Sequence, residues 1–273
     1  AVLPEISVHV KELQIIQTER EGETTEICRE WGERTDLVIV LGGDGTVHEA
    51  INGLAELEIR PILGILPGGT CNDFSRMLRI PQNLVRAAKI LMQGKTQLLD
   101  VGKVNDHYFL NFWGVGLVAD TSTNIDAGQK KVLGKLSYFL SALKTMQAAE
   151  PFHFTLEADE HHLKGEAVMI LVMNGRYIGT NQIPFPNMKI DDGLFDVLIV
   201  RDSTFGSLIE VFNLEELPPN NAEAVGNLQH FQTSSLSVQT SPVLEADTDG
   251  EIYSETPAEL IVLNKHIQMI VGD

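Results

Sequence analysis

Short apolar runs closed by glycine turns recur through the first hundred positions of this chain. Leu37-Val38-Ile39-Val40-Leu41 is too short for a buried helix and is rich in β-branched residues, so it predicts a strand covered on both faces. Gly42-Gly43-Asp44-Gly45 follows, after which Val47, Ala50, Ile51 and Leu54 recur at helical spacing and predict a helix over residues 46–57. Pro61-Ile62-Leu63-Gly64-Ile65-Leu66 repeats the arrangement, with the turn Pro67-Gly68-Gly69-Thr70 leading into Cys71-Asn72-Asp73-Phe74. Ahead of both, residues 8–16 alternate imperfectly and predict a strand, then a loop, then a helix over 24–32. An amphipathic helix is expected over 83–93, closed by Gly94. Neighbouring strands of a parallel sheet point their carboxyl ends into one crevice, where such sheets bind ligands, so Asp44 and Asp73 are both expected to face it.

Beyond residue 97 the period changes to two. Residues 97–104, the turn Asn105-Asp106-His107 and residues 108–112 read as a β-hairpin. Further strands are expected over 152–157, 167–174, 194–200, 236–240 and 260–263, the pattern of an antiparallel sandwich or barrel. Helices interrupt it over 130–148 and 205–217, and residues 215–223, with Pro218-Pro219-Asn220-Asn221, predict an exposed loop. The first of these helices carries an apolar face of Val132, Leu136, Phe139, Leu140 and Leu143 ringed by Lys130, Lys131, Lys135 and Lys144. It reads either as burial against the sandwich or as a helix lying on a membrane surface. The expected division is an α/β nucleotide-binding domain over 1–97 and a β-sandwich domain over 98–273, whose last strands return to the first.

A formal net charge of −18, from 20 Lys and Arg against 38 Asp and Glu, argues against a nucleic-acid partner and against permanent polybasic anchoring on anionic lipid. The two cysteines, Cys28 and Cys71, fall in segments read as helical and predict no disulfide framework, which favours a reducing cytoplasm. No apolar run approaches the ~18 residues that span a bilayer. The chain opens in mid-pattern on Ala1-Val2-Leu3-Pro4-Glu5 without a Met, which predicts a preceding segment in the natural protein. The eight histidines show no metal-ligand spacing, and His161-His162 reads as a solvated hairpin.

The chemistry concentrates at Gly42-Gly43-Asp44-Gly45-Thr46. Backbone N–H groups free of side chains, beside a helix N-terminus, can cradle a phosphate. No Gly-Lys-Ser/Thr follows, so this is not a Walker loop, and it is not the GxGxxG dinucleotide fingerprint. Asp44 would repel a bare phosphate and is explained by an intervening cation, so a Mg-nucleotide is the expected ligand, engaged from a solvent-facing turn.

Together these motifs resemble the diacylglycerol kinase catalytic family, specifically its small soluble bacterial lipid kinases. Gly42-Gly43-Asp44-Gly45-Thr46 is shared with NAD kinases and phosphofructokinases, but Pro67-Gly68-Gly69-Thr70-Cys71-Asn72-Asp73-Phe74 is similar to the family's P-x-G-T-x-N-D-F. Asp100-Val101-Gly102-Lys103-Val104, Phe109-Leu110-Asn111, Asp191-Asp192-Gly193-Leu194-Phe195-Asp196-Val197 and Asp249-Gly250-Glu251 extend the resemblance along the chain. The family's opening strand, ending in Asn-Pro-x-Ser/Ala-Gly, has no match here.

The resemblance implies an ATP-dependent phosphotransferase acting on a lipid hydroxyl, most simply diacylglycerol, with ATP and Mg²⁺ as cofactors. The fold it implies is an α/β nucleotide domain and a β-sandwich with the site in the cleft between. ATP would be held by Leu41, Gly42, Gly43, Asp44, Gly45, Thr46 and Val47, by Thr70, and by Thr18. A structural Mg²⁺ would take the Asp192 carboxylate and the carbonyls of Lys189 and Leu194, although Asp-Asp-Gly is also an ordinary turn into a strand. Glu251 is the first choice for the base that accepts the hydroxyl proton, with Asp249 its alternate or partner. The partner implied is a lipid at the membrane surface, met by transient peripheral contact from the cytoplasm, and the resemblance leaves room for a homodimer. NAD kinase and a catalytically idle lipid-binding protein of the same fold are the competing readings.

Overall fold

Glycine turns and apolar runs fold into an α/β part whose parallel strands continue into one of two facing sheets. The computed structural model describes residues 2–116, 150–159, 161–178, 180–182, 188–201 and 228–273. The helices expected over 130–148 and 205–217 and the loop expected over 215–223 lie outside these residues. The first part runs α1 (Leu3–Ser7), α2 (Glu23–Trp31), a 3₁₀ turn (Gly32–Arg34), β1 (Leu37–Gly42), α3 (Asp44–Leu54), β2 (Ile62–Pro67), α4 (Asp73–Met77) and α5 (Leu84–Gln93). Strands follow: β3 (Thr96–Val104), β4 (His107–Phe109), β5 (Phe112–Gly116), β6 (Phe152–Ala158), β7 (His161–Ala167), β8 (Met169–Met173), β9 (Tyr177–Ile178) and β10 (Asn181–Gln182). The last are β11 (Phe195–Val200), β12 (Leu228–Thr233), β13 (Ser235–Ser241), β14 (Glu245–Thr248), β15 (Glu251–Glu255) and β16 (Ala258–Ile270).

β1 and β2 pair in parallel from Leu37↔Ile62 to Gly42↔Pro67, so their glycine turns leave the sheet side by side. This sheet has the order β1-β2-β16-β13-β6-β7, with β3 and β4 joined through β16. A second, antiparallel sheet, β12-β11-β8-β5-β14-β15, packs against its later strands. One core cluster lies around β1, β2 and the helices, with Ile51, Leu54, Leu63, Ile65, Leu91 and Met269. The other fills the space between the sheets, where Phe109 of β4 stacks on Phe195 of β11 at 5.5 Å and 13°. Strand β6 shows why the two-residue period works: Phe152, Phe154, Leu156 and Ala158 point inward while His153, Thr155 and Glu157 face out.

Several expectations shift. Residues 8–16 are not a strand; α1 ends before them, and Val8, Leu13, Ile15 and Ile16 lie exposed, because alternation without a neighbouring strand supplies no ladder. Helix α3 starts at Asp44 rather than Thr46, since Gly43 is extended and serves as its N-cap. The 108–112 strand is divided: β4 stays in the first sheet and β5 crosses to the second. Cys71 lies in the loop before α4, not in a helix. Both cysteines are free thiols, and burial together with the Glu49 carboxylate pushes Cys28 up to about 11. Among the described residues no helix is long and apolar enough to cross a membrane.

Helix α3 is pinned to α2 at close range. Thr24 N donates to Glu49 Oε2 (3.1 Å), Thr25 Oγ1 donates to Glu49 O (2.9 Å), and Gly53 lies where the two helices touch. A Cβ on Gly53 would fall 2.6 Å from both Thr25 O and Cys28 Cβ. Alanine gains about 1 kcal/mol of helix propensity over glycine, whereas overpacking against backbone costs about 1–3 kcal/mol. The steric term wins, so Gly53→Ala is expected to lower the urea midpoint; an unchanged or higher midpoint would show that the crossing has room.

Candidate active site

The two glycine turns are in backbone contact. Gly68 N donates to Gly42 O at 2.8 Å, a Cβ on Gly68 would lie 3.3 Å from Gly42 Cα, and one on Gly69 would lie 2.5 Å from Gly43 Cα. The glycines thus serve the approach of one loop to the other. Asn72 continues the lock from the left-handed region (φ 53), which asparagine tolerates better than most residues. Its Oδ1 accepts from Gly69 N (2.8 Å), and its Nδ2 donates to Gly69 O (2.9 Å) and to Gln82 Oε1 (3.1 Å).

Asp44, His48 and Asn52 recur every four residues on α3, and that stripe reaches three separate parts of the chain: the loop before α4, the β14–β15 turn and strand β4. Asp44 Oδ2 accepts from Asn72 N at 2.8 Å and Oδ1 from Phe74 N at 3.4 Å, so the carboxylate caps the start of α4. It is part-buried rather than solvent-facing, and burial is the main cause that raises its pKa; the backbone donors oppose the rise and the Asp249 carboxylate adds to it. His48, 3 % exposed, places Nδ1 at 3.1 Å from Asp249 Oδ2. Asn52 accepts from Tyr108 N (2.9 Å) and donates to Tyr108 O (2.8 Å).

Asp249, at φ 56 in the β14–β15 turn, accepts from Leu110 N (2.9 Å), Asn111 N (2.8 Å) and Phe112 N (3.0 Å) besides His48. Those donors fill the four lone-pair directions of a carboxylate. Glu251, two residues on, brings Oε1 to 3.5 Å from the point where a Cβ on Gly45 would stand. The pair is therefore divided by environment: Asp249 holds backbone, while Glu251 lies over the glycine turn.

Asp73 does not open onto a crevice; its Oδ1 accepts from Thr180 N at 2.6 Å, linking α4 to the β9–β10 hairpin. Leu41 is 60 % exposed and Thr70 is exposed on the second loop. Thr46 folds over Gly42, and Val47 is buried, so only its main chain faces the turn, with Val47 N donating to Gly43 O (3.1 Å). Thr18 lies on an exposed irregular segment.

Around Lys189, Asp192 and Leu194, Asp192 Oδ1 accepts from Leu194 N (3.2 Å), and Gly193 takes φ 78. Buried Asp100 braces the loop, accepting from Gly193 N and from Lys265 N, each at 2.6 Å. The Asp192 pKa is raised by burial, and the Asp100 and Asp196 carboxylates push the same way. Among the described residues no group of three or more His, Cys, Asp or Glu gathers as a metal site. One carboxylate supplemented by main-chain oxygens remains compatible with a hard cation.

The diacylglycerol kinase catalytic domain profile matches residues 2–104, over both glycine turns, and the profile described as a YegS C-terminal NAD kinase beta sandwich-like domain matches residues 114–271. A Staphylococcus aureus (strain JH9) protein provisionally named a lipid kinase is 35 % identical over 265 residues, covering 95 % of this chain and 87 % of its own. The chain belongs to the diacylglycerol kinase catalytic family. Solved structures agree: a diacylglycerol kinase from Bacillus anthracis strain Sterne superimposes with a TM-score of 0.87 at 40 % identity, covering 99 % of this chain and 91 % of that one. A second from the same strain, provisionally named so, gives 0.88 at 39 % identity, covering 99 % and 90 %. Within this family fold, the sequence named neither His48, Asn52 and Gln82 nor the locking role of Asn72, although the four-residue spacing of Asp44, His48 and Asn52 was there to be read.

Because Asp44 is committed to backbone N–H groups, Asp44→Ala is expected to destabilise the fold by about 1–3 kcal/mol, the usual cost of leaving a buried donor unsatisfied. A residue engaged only from a solvent-facing turn, as its sequence context suggested, would leave stability unchanged. Equilibrium urea unfolding decides it, and a loss under about 0.5 kcal/mol, the scatter of neutral surface changes, would return Asp44 to a purely ligand-facing role.

Proposed function

We propose that this protein is an ATP-dependent lipid kinase that transfers the γ-phosphoryl group to a lipid hydroxyl, with diacylglycerol or a related glycerolipid as acceptor. The observation that carries the reading is the approach of Glu251, from the antiparallel part of the chain, to Gly45 in the glycine turn of the parallel part. A phosphate at the turn and a hydroxyl beside it would then share one proton acceptor.

Helix geometry leaves the N–H groups of Asp44, Gly45 and Thr46 without intrahelical partners at the start of α3, the ordinary place for an anion. Exposed Leu41 offers apolar surface to a base, and Thr70 a hydroxyl to the phosphates, with Gly42, Gly43 and the Val47 main chain shaping the floor; Thr18 contributes from the exposed segment. Magnesium, when bound, neutralises charge on the phosphate oxygens. Asp192 with the Lys189 and Leu194 carbonyls would hold a further Mg²⁺, and the crowding of Asp192 by Asp100 and Asp196 supports a cation there. Glu251 takes the acceptor proton, because Asp249 has its lone pairs engaged. The acceptor would be reached by transient contact with a membrane surface.

Labelled ATP against a lipid panel in mixed micelles, with NAD as an added acceptor, tests the reading; phosphorylation of NAD alone would sink it. A positioned general base contributes roughly 10²–10⁴-fold, so Glu251→Gln should lower kcat by that order with an unchanged melting temperature, whereas Asp249→Asn should lower the melting temperature. Should Glu251→Gln be nearly silent and Asp249→Asn deeper per folded molecule, the base is Asp249. Calorimetric titration of Mg²⁺ into nucleotide-free protein should show binding that Asp192→Asn weakens; an isotherm indifferent to the substitution removes Asp192 from the site.

A further inference from the structure

His48 has no part in the transfer just described, yet it is buried and joins the two halves of the site. Asp249 Oδ2 lies 3.1 Å from Nδ1, and Asn52 Nδ2 lies 3.2 Å from Nε2. The backbone fixes which end of the Asn52 amide is nitrogen: Oδ1 must accept from Tyr108 N, so Nδ2 is the atom that meets the ring. The Asp249 carboxylate can only accept, so Nδ1 carries the hydrogen given to it; Nε2 then faces Asn52 Nδ2, an atom that only donates and whose hydrogens also serve Tyr108 O (2.8 Å) and His48 O (3.0 Å). The remaining donors to Asp249 all come from the Leu110-Asn111-Phe112 segment. His48 thus donates from α3, the helix beginning at Asp44 and Gly45, to the turn from which Glu251 lies over that helix start.

The geometry points to His48 as a positioning residue: its Nδ1–H holds the Asp249-Gly250-Glu251 turn in register with the glycine turn, so that the Glu251 carboxylate meets the acceptor. The inference rests on the kinase reading. It assigns His48 no contact with substrate, so the effect should appear in kcat and not in ATP binding.

The test compares His48→Ala, His48→Asn and His48→Gln on the full chain. Asparagine places its amide nitrogen as many bonds from Cα as Nδ1, whereas glutamine places it one bond further. Misplacement by about an ångström costs up to roughly 10²-fold in rate, so His48→Ala should lose roughly 10- to 100-fold in kcat, with KM for ATP within about twofold. His48→Asn should recover most of the loss and His48→Gln little. Wild-type kcat in both His48→Ala and His48→Gln, or a His48→Asn rate as low as that of His48→Ala, overturns the inference while leaving the kinase reading standing. A wild-type protein that phosphorylates no lipid sinks that reading instead. Long-range ¹⁵N–¹H spectra of the ring, identified by the signal lost in His48→Asn, then decide the positioning alone: a protonated Nδ1 supports it and a protonated Nε2 overturns it.

Discussion

Buried carboxylates that accept backbone N–H groups hold this site together, standing in for the ladders that irregular loops lack. Asp44 takes Asn72 and Phe74, Asp73 takes Thr180, Asp100 takes Gly193 and Lys265, and Asp249 takes Leu110, Asn111 and Phe112. In each case the acceptor and its donors belong to segments far apart in sequence. A carboxylate offers about four lone-pair directions to donors from several segments, and charge-assisted bonds are stronger than neutral ones. Its burial is tolerable because those donors replace water.

The glycine turns add a second constraint, of shape instead of charge. Gly69 approaches Gly43 closely enough to exclude a methyl group, so the two loops behave as one unit. Asp44 and Asn72 then fix that unit, and the helical spacing of Asp44, His48 and Asn52 carries its position on to Asp249 and to the β3–β4 hairpin at Tyr108. A site divided between two parts of the chain needs some such transmission, because the Glu251 carboxylate and the Gly45 turn come from segments some two hundred residues apart.

Elements that obey a simple period were legible in sequence. β1, β2 and α5 have the expected composition, spacing and glycine closures, and β6 shows strict alternation. What was not legible depends on who the neighbours are. Residues 8–16 alternate but have no strand beside them, β4 and β5 divide because the chain changes sheets, and β16 continues well beyond Leu263 through a bulge that periodicity does not announce. Among the candidate site residues, Gly42, Gly43 and Gly45 could be picked out from residue type and Glu251 only through the family resemblance, but not the backbone roles of Asp44 and Asp249, because a carboxylate in a glycine turn reads the same whether it faces a ligand or an amide. Asn72 was quoted within a motif without its left-handed backbone being foreseen.

Strand β16 carries one more implication. It pairs with β3 along most of its length, with β13 near Leu260, and through Met269 with Leu63 of β2. During synthesis, chains fold as they emerge, earlier segments first. Here β2 keeps an unfinished edge until the ribosome has passed Met269. The nascent protein must shelter the unpaired edge of β2 while the antiparallel part is made, so the half carrying the glycine turns completes its sheet only with the last strand of the chain.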